Sequence, residues 1–450
     1  MAKKFYPVEE LKLSGIVIPE RFRKEHLDHT EDLINDIKEN GMLTPIVVIK
    51  LNKEIRLVDG FHRYMAATKL EWDTIQCVVL DRELSKDELN LLLLSLEYNT
   101  NEKRKQFSYP EKIRAWIKIH EAQIKIHGDG RKTKGGWTLK DSAEFLGIKP
   151  SNLTDAFQVG RAMEYLPELK EQGNLSQAVK TYKKLKRRDE VQTKAEVIIK
   201  NVRQLPENEG KKKLIESYFV GDFFKGVKSA PSECVDLIEI DPPYGIELDK
   251  NTKALNATNI DQYVEIPPEK YPAFLDKLLK QAYRLLKPTG WMIFWYAIEP
   301  WHSVVLNKIK ENGFTCNGIP AIWVKPIGQT MHPEQSHGNA YETFFYARKG
   351  PAFFNKPGRN NVYDYKPIID YKDEKTHRTQ RPISMMEDII FTYVGEGAEI
   401  CTPFAGSGNT ILAANNLNCT AWGYDLSQVH KDEFTVRVSE GKLGEYKDEQ

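Results

Sequence analysis

The strongest constraint on the fold is the way apolar strand-like runs in the second half of the chain end in short, chemistry-bearing turns. From about Leu214 to Gln450, apolar runs alternate with amphipathic helical stretches, which implies α/β architecture around a mainly parallel sheet. Strands are predicted at Cys234–Ile240, Trp291–Tyr296, Gly318–Val324, Glu342–Ala347, Ala398–Thr402 and Thr420–Tyr424. Helices are predicted at Tyr271–Leu286, Ser384–Tyr393 and Thr410–Leu417. The strand Val235–Ile240 runs into Asp241-Pro-Pro-Tyr244, and the strand at Ile400 runs into Thr402-Pro-Phe-Ala-Gly-Ser-Gly-Asn-Thr410.

Each turn suggests a chemistry. Gly406 and Gly408 allow close backbone approach to a ligand, and the following helix offers unpaired N–H groups. Such loops also bind phosphates, but the Gly-Lys-Ser/Thr ending of a P-loop is missing. The next strand ends in Gly423-Tyr-Asp425, and an acid there can accept both hydroxyls of a ribose. Together the loop and the acid suggest a nucleoside-containing cofactor. In Asp241-Pro-Pro-Tyr244, the prolines stiffen the turn, the carboxylate and proline carbonyls accept hydrogen bonds, and the tyrosine offers a flat ring. That combination suits an exocyclic amine and the base that carries it.

The first half reads differently. Strands are predicted at Lys12–Ile18, Ile46–Lys50, Ile55–Val58 and Gln76–Leu80, with helices at Glu31–Asn40 and His62–Lys69. This is a small α/β unit, residues 1–97. Residues 98–210 read as helical, and 211–450 as the third domain. In the middle part, Thr138–Phe157 gives a helix, a turn at Gly147 and a second helix opened by Ser151. Ala143, Leu146, Ile148 and Leu153 would pack it, leaving Ser151, Asn152, Thr154 and Asp155 to face DNA in a helix-turn-helix. A plain helical hairpin is the competing reading. A dense basic run follows at Lys183–Arg188, and Pro206–Lys213 reads as a linker.

The net charge is only +1, yet Asn101–Lys213 holds 26 Lys and Arg against 15 Asp and Glu. A basic block in a near-neutral chain suits a polyanion, although solvated, salt-bridged helices would give the same count. The chain has 450 residues with 40% hydrophobic and 29% charged, which suits about three folded domains rather than disorder. No apolar run approaches the roughly 20 residues of a membrane helix. The five cysteines form no Cys-x-x-Cys pair, and no metal is expected. With no secretory signal apparent at Met1-Ala-Lys-Lys, the expected location is cytoplasmic.

Several of these motifs, in this order, resemble the amino-group DNA methyltransferases, the adenine-N6 and cytosine-N4 enzymes of the permuted (β-type) class. Asp241-Pro-Pro-Tyr244 is similar to their catalytic motif, Phe404-Ala-Gly-Ser-Gly408 to their S-adenosylmethionine loop, and His377-Arg-Thr-Gln-Arg-Pro382 to the preceding cofactor motif. The resemblance covers about 215–430 and implies a Rossmann-like sheet that binds S-adenosyl-L-methionine. It implies catalytic roles for Asp241, Pro242, Pro243 and Tyr244, with the target base extruded from double-stranded DNA. It places the cofactor among Asp222, His377, Thr379, Gln380, Arg381, Pro382, Thr402, Phe404, Ala405, Gly406, Ser407, Gly408 and Asp425. Asp222 would read its adenine and Asp425 its ribose. Trp323-Val-Lys325 and Tyr341-Glu342 resemble further family strands. The family usually carries Asp where this chain has Thr402, so weaker cofactor binding is expected, to be tightened by Thr402→Asp.

Leu43-Thr-Pro-Ile46 and Val58-Asp-Gly-Phe-His-Arg-Tyr-Met-Ala-Ala67 resemble a ParB/sulfiredoxin-type domain. The sulfiredoxin cysteine is replaced by Phe61, so thiol chemistry is not expected. Gly60, His62 and Arg63 are candidates for a nucleoside triphosphate; a nucleotide-free DNA-docking scaffold is the alternative. The combined expectation is a methyltransferase acting on adenine N6, with cytosine N4 or RNA as other substrates and a homodimer left open. A ParB-like DNA-binding or partition protein with a degenerate methyltransferase part is the contrasting option.

Overall fold

The computed structural model describes residues 6–18, 30–51, 54–80, 84–103, 107–202, 209–246, 266–330, 333–368 and 380–448. The chain forms two compact units, Met1–Lys184 and Leu185–Gln450. Among the described residues, no helix is long and apolar enough to cross a membrane.

The first unit opens on a five-stranded sheet of β1 (Val8–Lys12), β2 (Ile16–Val17), β3 (Ile46–Leu51), β4 (Glu54–Asp59) and β5 (Thr74–Leu80), in the order β1-β5-β3-β4-β2. The strand expected over Lys12–Ile18 is broken: β1 ends at Lys12, and a 3-10 turn at Leu13–Gly15 buries Leu13 before β2 begins. Ile46, Val48, Leu57, Ile75 and Cys77 fill the core under the helix Phe61–Lys69. Gly60 starts that helix at φ +96°, and a Cβ on it would lie 2.8 Å from Ile46 Cγ2.

The helical part of this unit is tied together by caps and one buried polar contact. Ser108 and Glu111 form a capping box at the helix Tyr109–His127, and Thr138 and Asp141 form another at Leu139–Leu146. Ser142 Oγ bridges the two helices: it lies 2.7 Å from His120 Nδ1 and accepts from Trp137 Nε1 at 2.7 Å. Burial lowers the His120 pKa, which suits a neutral ring in this contact. Gly147 ends Leu139–Leu146 in the left-handed region, and the helix Pro150–Ala162 follows. Ala143 and Leu153 are fully buried, Leu146 and Ile148 half-buried.

The basic run Lys183–Arg188 lies within one long helix, Leu175–Val202. The linker reading of Pro206–Lys213 is corrected by the helix Glu209–Glu216, which buries Leu214 and Ile215. Its lysines mask an amphipathic pattern whose apolar side appears only at Leu214.

The second unit is built on eight strands: β6 (Tyr218–Val220), β7 (Val235–Ile240), β8 (Leu286–Tyr296), β9 (Ala321–Gln329), β10 (Asn339–Arg348), β11 (Val362–Asp364), β12 (Glu399–Thr402) and β13 (Thr420–Asp425). Their order is β11-β9-β10-β8-β7-β12-β13-β6. β10 runs antiparallel to both neighbours, while β8, β7, β12, β13 and β6 are mutually parallel. Period-two alternation feeds two cores. Leu237, Trp291, Ile293 and Trp295 pack with the helices Ile383–Tyr393 and Asn409–Asn416. Ile238, Ile240, Met292 and Phe294 pack with Tyr271–Leu285 and Ile298–Glu311. With both faces covered, β7 is buried almost throughout, which explains why Val235, Leu237, Ile238 and Ile240 are apolar whichever face they meet.

Candidate active site

Parallel strands bring their C-terminal ends to one edge of the sheet, where ligands of open α/β folds commonly bind. β12 lies between β7 and β13, so the Asp241 turn, the Gly406 loop and Asp425 emerge side by side. The two turns singled out in the sequence are therefore neighbours.

The glycine loop is braced on every side. Ala405 N–H donates to the Tyr424 carbonyl at 2.7 Å, and Gly408 N–H to the Ala405 carbonyl at 2.8 Å. Tyr218 hydroxyl donates to the Gly406 carbonyl at 2.7 Å, and Arg437 to that of Ser407 at 3.0 Å. Gly408 caps the helix Asn409–Asn416 at φ +76°, and a Cβ there would lie 2.3 Å from the Phe434 ring. Phe404 packs into the core on the side of Phe274.

Two carboxylates flank this loop. Asp425 Oδ2 accepts from Gly406 N–H at 3.0 Å, and Oδ1 from Ser427 N–H at 2.8 Å; His430 Nδ1 lies 3.2 Å from Oδ1. Burial pushes the Asp425 carboxyl up, but these partners outweigh it and hold the group below its ordinary value. An ionised acid with acceptor capacity left on Oδ2 is what a ribose diol requires. Asp222 follows β6, the neighbour of β13, and Gly221 N–H donates to the Asp425 carbonyl at 2.8 Å. Asp222 also caps the short helix Phe223–Gly226, accepting from Phe224 N–H at 2.7 Å; among the described residues its other oxygen has no protein partner. These groups suit a nucleoside-containing cofactor: an ionised acid for the ribose, a second acid beside it and a loop with no room for a Cβ at Gly408.

The Asp241 turn is held by Arg381. The guanidinium pairs with both oxygens of Asp241, contacts Tyr244 Oη at 3.1 Å and Glu342 Oε2 at 3.1 Å, and lies 3.8 Å over the Trp295 ring. Tyr244 hydroxyl donates to Asp241 Oδ1 at 3.0 Å. Burial would lower the Arg381 pKa, but Asp241, Tyr244 and Glu342 hold it well above its ordinary value. Burial and the adjacent Asp241 charge raise that of Tyr244, so its phenol stays protonated. Glu342 also pairs with Lys325 across the β9–β10 ladder. The Arg381 carbonyl accepts from Asn409 Nδ2 at 2.6 Å, which links the Asp241 turn to the helix behind the glycine loop.

The expected cofactor residues thus separate into groups. Asp222, Phe404, Ala405, Gly406, Ser407, Gly408 and Asp425 gather around the loop. Arg381 faces Asp241 instead. Pro382 is buried at the start of the helix Ile383–Tyr393, with Gln380 just before it. His377 and Thr379 lie outside the described residues. Thr402 is fully buried, and its hydroxyl donates to Glu239 Oε2 at 3.1 Å; Thr410 donates to the same oxygen at 3.2 Å. Sequence reasoning passed over Glu239 and Trp295, and named Glu342 only within a strand resemblance. The signal for Glu239 was a charge, the second after Asp236, near the end of the otherwise apolar run Val235–Ile240.

In the first unit, Arg63 is largely committed to its own fold. Its Nη1 donates to the carbonyls of Thr44 and Pro45, both at 2.7 Å, and Nη2 lies 3.5 Å from Asp59. His62 packs edge-on against Phe61. Ser151, Asn152 and Thr154 are exposed on the first turns of Pro150–Ala162, and Asp155 is half-buried.

Comparison with known proteins agrees with this division. Residues 235–435 match the DNA methylase family model for N6 and N4 enzymes, and residues 6–95 match the ParB N-terminal domain. The chain is 25% identical over 261 residues to the type II methyltransferase M.BglII of Bacillus subtilis, covering 49% of this chain and 68% of that one. It is 25% identical over 260 residues to M.HinfI of Haemophilus influenzae, covering 50% and 68%. The solved M1.HpyAVI–SAM complex is similar at 24% identity and a TM-score of 0.38, over 49% of this chain and 98% of that chain. The match to the N6/N4 DNA methylase family model thus falls within the second unit. The chain joins that DNA methylase domain to a ParB N-terminal domain.

Proposed function

We propose that the protein transfers a methyl group from S-adenosyl-L-methionine to the exocyclic amine of a base extruded from double-stranded DNA, with adenine N6 as the target. The observation that carries this reading is the placement of the Asp241 turn and the Gly406 loop on adjacent parallel strands, joined through Arg381 and Asn409. Bound at the loop, the cofactor supplies an electrophilic methyl group. The chain's own residues do the rest. Asp425 and Asp222 take the ribose and adenine, and the Gly406 backbone sets the depth of the pocket.

Asp241 acts as a fixed acceptor. A carboxylate offers about four lone-pair sites. Arg381 and Tyr244 take two on Oδ1, and Arg381 takes one on Oδ2. The remaining site on Oδ2 accepts one N–H of the target amine, and the Pro242 carbonyl accepts the other. Both bonds draw the amine's protons away from the face where the nitrogen lone pair must meet the methyl group. Tyr244 presents its ring to the extruded base, an arrangement that orients the reactants. The adenine preference follows from the Asp-Pro-Pro-Tyr motif by family resemblance.

In the first unit, the exposed face of Ser151, Asn152 and Thr154 and the basic helices support a DNA-docking role in the helix-turn-helix manner. Tritiated methyl transfer tests the central reading. Label should enter DNA, and nucleoside analysis should recover N6-methyladenine. Label in RNA alone, in N4-methylcytosine, or unchanged in Asp241→Ala would contradict it.

A further inference from the structure

Glu239 occupies a place that the activity just described does not use. It is the penultimate residue of β7 and only 3% exposed. A carboxyl placed so deeply is costly unless hydrogen bonds compensate it. Here both compensating donors belong to the glycine loop's two ends. Thr402 closes β12, and Thr410 sits in the first turn of the helix Asn409–Asn416. Both donate to one oxygen, Oε2, at 3.1 and 3.2 Å. The pairing Ile400 with Leu237 and Cys401 with Ile238 sets Thr402 beside Glu239.

The sequence expectation treated Thr402 as a lost carboxylate. In the fold, a carboxylate is present after all, one strand over and within hydrogen-bond reach of the threonine. An aspartate at 402 would bring two acids together in a buried space, where like charges oppose each other's ionisation. The threonine is therefore the residue that Glu239 requires, and Thr402→Asp alone should weaken the site.

We infer that Glu239 is a positioning residue for the cofactor loop: from the neighbouring strand it supplies the acid that the family places at 402, and through Thr402 and Thr410 it fixes both ends of the loop. This inference rests on S-adenosyl-L-methionine being the ligand of that loop. Its hydrogen bonds hold the backbone of the loop that receives the cofactor. When Glu239 is ionised, both hydroxyls are held by a charged acceptor, which makes their bonds roughly twice as strong as neutral ones.

Calorimetric titration of the full-length protein with S-adenosyl-L-methionine tests the assignment. At pH 8, where Glu239 is ionised, Glu239→Gln should weaken cofactor binding roughly tenfold, the loss expected when charge-assisted bonds become neutral. Its melting temperature and DNA affinity should not fall, and its kcat at saturating cofactor should change little while the cofactor KM rises. Thr402→Asp should also bind more weakly, and the exchanged pair Glu239→Thr with Thr402→Asp should recover most of the wild-type affinity. Wild-type affinity in Glu239→Gln, or a double variant no tighter than Glu239→Thr alone, would overturn the assignment while leaving methyl transfer intact. A wild-type protein that fails to bind the cofactor at millimolar concentration would remove the functional reading itself, and the inference with it.

Discussion

Both units contain a glycine with positive φ that launches a helix from the end of a strand, yet the two surroundings differ. Gly60 joins β4 to Phe61–Lys69, and the arginine beside it is tied to the Thr44 and Pro45 carbonyls. Gly408 opens Asn409–Asn416, and its loop is framed by Asp425, Glu239 and the Arg381–Asp241 pair. The same backbone grammar therefore meets an arginine held by carbonyls in one unit and a group of acids in the other. What separates them is the set of acids delivered by neighbouring strands, of which Asp425 and Asp241 lie in readable motifs and Glu239 does not.

The sharpest way to break that contrast is Asp241→Ala. It should reduce methyl transfer by about a thousandfold or more, because the amine loses a fixed acceptor where charge develops; filter-binding assays of labelled DNA would show this. Any loss of that size from Arg63→Ala would erase the distinction between the units. Next in size are the glycines. Gly408→Ala should cost about 3 kcal/mol or more, since its Cβ would lie 2.3 Å from the buried Phe434 ring at an unfavourable φ. Gly60→Ala, at 2.8 Å from Ile46 Cγ2, should cost about 2 kcal/mol. Chemical denaturation ranks the two.

A third prediction concerns pH. Burial and the nearby Asp241 raise the Glu239 pKa from 4.5 to about 7, against the opposing pull of Arg381, Thr402 and Thr410. Facing it are Asp241 at the end of its own strand, Cys401 on β12 and Arg381; its partner on β8 is Ile293, and the helix behind offers Asn409 and Thr410. A raised carboxyl pKa favours the fold below the unfolded value, and that contribution disappears as pH climbs through the folded one. Ionised Glu239 then burdens the fold by about 3 kcal/mol. Glu239→Gln should therefore gain stability relative to wild type between about pH 5 and 8, while losing cofactor. A variant that melts lower at pH 8 would make Glu239 an ordinary structural residue. The smallest effect expected is Arg63→Ala, which should lower the stability of the first unit by about 1 kcal/mol and leave cofactor affinity unchanged.

Much of this arrangement was legible in the sequence. The strands ending at Ile240 and Thr402 and the acid at Asp425 were readable because apolar periodicity and turn chemistry agree there. The helix Glu209–Glu216 was not, because three consecutive lysines hide its apolar side. Nor was the partnership of Arg381 with Asp241, 140 residues apart in the chain and joined only by the order of the strands. The sequence singles out Gly60 as a nucleotide candidate because its neighbours His62 and Arg63 carry suitable chemistry. The carbonyls of Thr44 and Pro45 that hold the arginine lie on a separate segment, which no spacing argument reaches.

The saturation of Asp241 Oδ1 has a last consequence for selectivity. With Arg381 and Tyr244 fastened to it, the carboxylate has no proton to give, and the carbonyl of Pro242 next door can only accept. A thymine or uracil turned into this pocket would present its own C4 oxygen to two oxygens, with no hydrogen between them. On the proposed reading, pyrimidines carrying a keto group there would be repelled before any methyl donor is consulted, so the discrimination would require no contact dedicated to it.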